Sequence, residues 1–159
     1  MTLLELAERC EAAAGPDREI DARVHCAHEG LEFVLLAAGE EVYGDICDPA
    51  DNGYGSGNKC TSGLLYARYP DHKNPATLGG GKRGNRVQGC TAPRYTSSLD
   101  AAMTLAEDDA ISEHMDEAIE RLGRAGWREG QYKQRLAQFF TASCLRARAA
   151  YDSGLDIQL

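Results

Sequence analysis

Leu31-Glu32-Phe33-Val34-Leu35-Leu36-Ala37-Ala38-Gly39-Glu40-Glu41-Val42-Tyr43-Gly44-Asp45-Ile46 is the stretch on which the fold class turns. Leu31 to Leu36 is short, apolar and follows Gly30, which reads as a buried strand. Glu41 to Ile46 alternates roughly between polar and apolar, and Ala38-Gly39 offers a turn between the two runs. A hairpin is therefore expected here, with a third strand at Leu64–Tyr69 and a short one at Arg86–Gln88. On this reading the chain is α+β: two N-terminal helices, a small antiparallel sheet with long Gly-rich loops, and C-terminal helices packed on the sheet.

The helical signals lie on either side. Thr2 and Glu5 have capping-box spacing, and Leu3, Leu6, Ala7, Cys10 and Ala14 recur at helical intervals. Gly15-Pro16 stops that helix, and Asp17 caps a second one with Ile20, Val24 and Ala27 on its apolar stripe. After residue 94, Ser97 or Ser98 caps a short segment bearing Leu99 and Met103. Ile111, Met115, Ala118, Ile119 and Leu122 then mark an amphipathic helix, and a last helix spans about Gln131 to Ala150 with Leu136, Phe140 and Cys144 on one stripe. Leu99, Met103, Leu136 and Phe140 are expected in the core. One domain over residues 1–159 is expected, with helices at about 2–29, sheet and loops at about 31–94, and helices at about 97–150.

Composition narrows the function classes. Of 159 residues 43% are hydrophobic, which suits a globular chain, and no apolar run reaches the ~18 residues that cross a membrane. Met1-Thr2-Leu3-Leu4-Glu5 lacks a basic leader, so no export signal and a cytoplasmic location are expected. Six cysteines are scattered without a C-x-x-C pair, which favours reduced, packed thiols over disulfides. The net charge of −8 speaks against a protein that coats DNA or an anionic membrane. It is unevenly spread: Arg68 to Arg94 holds six basic residues against one acid, and the rest of the chain holds eleven against twenty-four. Such asymmetry marks an interaction surface.

Candidate sites follow from that asymmetry. Gly79-Gly80-Gly81-Lys82-Arg83-Gly84-Asn85-Arg86 joins glycines, whose amides can converge on an anion, to three cations. The Walker spacing is absent, since Arg83 follows Lys82. Lys82, Arg83, Arg86 and Arg94 are therefore the expected anion contacts, with Tyr54 and Tyr95 placed to stack on a base. The alternative is a solvated loop. His25 and His28 lie three apart on a helix after Asp21, a weak metal spacing that also suits a polar helix face. Cys47, Cys60, His72 and Cys90 are the zinc candidates among the loops, though each gap is too wide for a known zinc module. No metal or other cofactor is expected to be resident, and no nucleophile motif is present.

Two stretches resemble the phage ABA-sandwich domain family, small proteins encoded by tailed phages and prophages. They are Leu3 to Arg9 continuing through Gly15-Pro16-Asp17-Arg18-Glu19-Ile20-Asp21-Ala22, and Pro93-Arg94-Tyr95-Thr96-Ser97-Ser98-Leu99-Asp100-Ala101-Ala102-Met103-Thr104-Leu105. Thr141 to Ala149 is similar to the family's closing helix. Family members follow the second stretch with Val-Pro-Glu-Gly and a Trp-bearing strand, where this chain has Ala106-Glu107-Asp108-Asp109-Ala110. The resemblance implies helix–sheet–helix layering, a phage origin and hence the cytoplasm of an infected or lysogenic bacterium; it implies no catalytic residue. The expected function is a phage accessory protein that counters host defence by sequestering an anionic, nucleotide-like ligand or by occupying a host defence protein. A metal-dependent enzyme acting on a nucleotide or phosphoester is the first alternative, and a minor virion or assembly component the second. Self-assembly is left open.

Overall fold

The structure, a computed structural model, describes residues 1–30, 32–35, 65–68, 87–89 and 92–154. Its elements are helices α1 (Leu3–Ala12) and α2 (Arg18–Glu29), strands β1 (Glu32–Leu35), β2 (Leu65–Arg68) and β3 (Val87–Gly89), and helices α3 (Leu99–Met103), α4 (Ile111–Ala125) and α5 (Tyr132–Asp152). The chain forms two compact units, Met1–Val24 with Pro93–Leu159, and His25–Ala92.

The first unit is helical, and α5 is its axis. Helices α1, α3 and α4 all pack on α5. Leu136 to Leu145 are buried at every consecutive position, so α5 is enclosed all round rather than along one stripe. One apolar cluster joins α5 to the N-terminal helices through Leu6, Cys10, Ile20, Val24, Tyr95 and Leu145. A second joins it to α3 and α4 through Ala102, Ala118, Leu122, Leu136 and Phe140, with Leu99 and Met103 packed against its edge. Small residues at Ala137, Ala142 and Ser143 let neighbouring elements approach α5 closely.

The caps explain where the helices begin. Thr2 Oγ1 accepts from the Glu5 amide at 3.1 Å, and Glu5 Oε2 accepts from the Thr2 amide at 2.6 Å, completing the capping box. Asp17 Oδ1 accepts from the Ile20 amide at 3.0 Å to open α2, and Ser98 Oγ accepts from the Ala101 amide at 3.2 Å to open α3. Gly126 ends α4 with φ 77, a backbone angle that disfavours any side chain.

In the second unit β1, β2 and β3 pair antiparallel in that order, with Phe33 opposite Ala67 and Ala67 opposite Gln88. The strands are four, four and three residues long. The α+β class with helices packed over a sheet is thereby corrected: the described residues are mainly helical, and the C-terminal helices are covered by α1 and by one another. The physical reason is that the apolar faces of α1, α3 and α4 satisfy one another around α5, and strands this short cannot supply a second layer. The hairpin partner expected at Glu41–Ile46 lies outside the described residues. Among the described residues no helix is long and apolar enough to cross a membrane.

Candidate functional site

Residues of α2 and of the turn before α3 meet in space. Thr96, in the turn before α3, donates its amide to Asp21 Oδ1 at 2.7 Å, and Arg18 Nη1 donates to Asp21 Oδ2 at 2.7 Å. The Asp17 amide donates to Thr96 Oγ1 at 2.9 Å, so α2 and the turn hold each other at two places. Asp21 is fully buried. Burial pushes its carboxyl above the ordinary aspartate range, against the pull of the Thr96 and Arg18 hydrogen bonds. Both carboxylate oxygens are thus occupied by the fold, and Asp21 serves as a brace between segments 75 residues apart.

Tyr95, expected to stack on a base, is 2% exposed in the apolar cluster under α1, which leaves it no open face. Its carbonyl accepts from Thr141 Oγ1 of α5 at 3.3 Å. Arg94 is half-buried. Lys82, Arg83, Arg86 and Tyr54 lie outside the described residues, as do Cys47, Cys60, His72 and Cys90. His25 is half-buried near the end of α2, and His28 is exposed with Nε2 3.9 Å from Glu29. Among the described residues no three histidines, cysteines or carboxylates gather as a metal group.

Among the described residues Glu11 is held by two guanidinium groups. Arg121 of α4 donates to it from Nε and Nη2 at 2.7 and 2.9 Å, and Arg146 of α5 from Nη1 and Nη2 at 2.6 and 3.0 Å. Burial alone would raise the Glu11 pKa, but the two guanidinium groups outweigh it and hold the carboxyl below its ordinary value of 4.5. Because the folded carboxylate binds its proton more weakly than the unfolded one, its stabilisation is present above the unfolded pKa and is lost as pH falls through the folded value. Glu11→Gln should therefore cost about 2 kcal/mol at neutral pH, and the gap should close in acid. Urea titrations of both proteins across that pH range check this; a gap that stays constant contradicts the assignment.

A third polar group joins α4 to α5. Ser143 Oγ donates to Glu117, and His114 Nδ1 lies 3.1 Å from the same oxygen. With the hydroxyl proton directed to Glu117, His114 is the donor to Ser143. His114 is thus not a base toward Ser143; Glu117 accepts the hydroxyl proton, but the Ser143 side chain is fully buried and presents no face to a substrate. Cys10 and Cys144 are no better placed as nucleophiles: burial pushes both thiols up to about 12. Cys10, Cys26 and Cys144 are buried and form no disulfide.

The surface feature that sequence reasoning missed is at the α4–α5 corner. Trp127 is 50% exposed and Tyr132 36% exposed, and their rings meet edge to face with centroids 4.9 Å apart. Gly126 and Gly130 bracket the corner with φ 77 and 78. A lone tryptophan between glycines was the available signal. Compared with family models, curated proteins and solved structures, the chain matches none.

Proposed function

We propose that this protein acts by binding, and that it sequesters a phosphate-bearing, nucleotide-like ligand as a counter-defence accessory protein of a tailed phage or prophage. The observation that carries the reading is the segregation of charge. Asp100 to Glu120 holds eight acids and no lysine or arginine, and Glu107, Asp108, Asp109, Glu113, Asp116 and Glu120 are exposed on the helical unit. Arg68 to Arg94 holds the opposite balance, six bases to one acid. Cations crowded without acids repel one another, and an anion in their midst relieves that repulsion. The glycines beside Lys82 and Arg83 let backbone amides join the same contact. The phage assignment rests on the resemblance in the Gly15–Ala22 and Pro93–Leu105 stretches.

Charge reversal tests the reading. Lys82→Glu with Arg83→Glu should weaken calorimetric binding of nucleotides at least about tenfold while leaving the melting temperature nearly unchanged. A sharp fall in melting temperature, together with no nucleotide bound by the unaltered protein, contradicts it.

A further inference from the structure

We propose that the α4–α5 corner is a docking surface for an acidic segment of a partner protein that carries a large apolar side chain. The proposal is independent of the basic segment invoked above. Aromatic and arginine side chains dominate the energetics of protein interfaces, and Trp127 and Tyr132 expose enough ring to bury against a partner. Their edge-to-face contact fixes each ring against the other, so less side-chain freedom is lost on docking. The positive-φ glycines at 126 and 130 set the path of the intervening Trp127-Arg128-Glu129 triplet.

Charge identifies the partner. Residues 121–135 contain Arg121, Arg124, Arg128, Lys133 and Arg135 against the single acid Glu129. Arg121 is committed to Glu11, Arg135 to the Glu11 and Ala13 carbonyls and Gln138, and Arg124 pairs with Glu120. The Arg128 and Lys133 side chains are exposed and make no hydrogen bond or ion pair among the described residues. Each of these two cations directly follows one of the two rings in sequence, and both are complementary to carboxylates. Two uncommitted cations are too few to neutralise a chain of phosphates, so a short acidic peptide segment suits the corner better than a nucleic acid.

Selection of a random linear peptide library on the intact protein tests the proposal. Trp127 is the only tryptophan, so its emission reports the site directly. Selected peptides should be acidic, carry a large apolar residue, and shift Trp127 emission to the blue. They should lose about tenfold or more in affinity for Trp127→Ala and for Arg128→Glu/Lys133→Glu. Both variants alter exposed positions, and circular dichroism verifies that they fold. Peptides that bind the variants as well as the unaltered protein overturn the proposal. So does displacement of the peptides by oligothymidylate at lower concentration than by an acidic peptide. Concentration-dependent dimerisation that Trp127→Ala abolishes would instead assign the corner to a second copy of this chain, and would equally overturn it.

Discussion

Phe140→Ala should lower stability by about 3–5 kcal/mol, among the largest losses any single truncation in this chain can produce. Phe140 is fully buried at the middle of α5, in the cluster that α5 shares with α3 and α4. The His114 ring stands edge-on to it with centroids 6.0 Å apart. Removing the ring costs its transfer free energy and leaves a cavity between helices whose backbones cannot all close at once. Denaturant unfolding with an unchanged slope measures the loss. A loss below about 1 kcal/mol would mean that α5 is not the axis of the unit.

Asp21→Ala should cost about 3 kcal/mol, for a different reason. The substitution removes no large apolar volume. It strands the Thr96 amide, which is buried, and leaves Arg18 with its Asp21 partner gone. Asp21→Asn should cost less, since the amide oxygen can still accept from Thr96. Unfolding free energies in the order unaltered, Asn, Ala check the prediction, and equal losses for Asn and Ala contradict it. The contrast matters for function, because it assigns Asp21, Arg18 and Thr96 to holding α2 against the turn before α3.

What the sequence disclosed depended on whether the signal was local. The Thr2–Glu5 capping box, the Ser98 cap and the burial of Leu136 and Phe140 all follow from contacts within one turn or from spacing along one helix. The enclosure of α5 did not show, because Gln138, Thr141 and Ser143 are polar and lie off the stripe of Leu136, Phe140 and Cys144. Each is instead satisfied from another segment: Gln138 by the Gly15 carbonyl, Thr141 by the Tyr95 carbonyl, and Ser143 by Glu117. The same non-locality hid Tyr95, whose neighbours in sequence are polar while its neighbours in space are Leu6, Cys10 and Ile20. The α+β reading failed where β-branched and aromatic runs suggested a layer that the helices did not need. Of the expected anion contacts, only Arg94 is among the described residues.

The proposed function requires the protein to hold a phosphate-bearing small molecule through its basic segment. The most direct measurement is to incubate the purified protein with a bacterial small-molecule extract, re-isolate it, denature it and identify what it releases by mass spectrometry. The unaltered protein should release a stoichiometric, ultraviolet-absorbing phosphate compound, and Lys82→Glu/Arg83→Glu should release none. Release of nothing from the unaltered protein, or of the same compound from both, would contradict the claim.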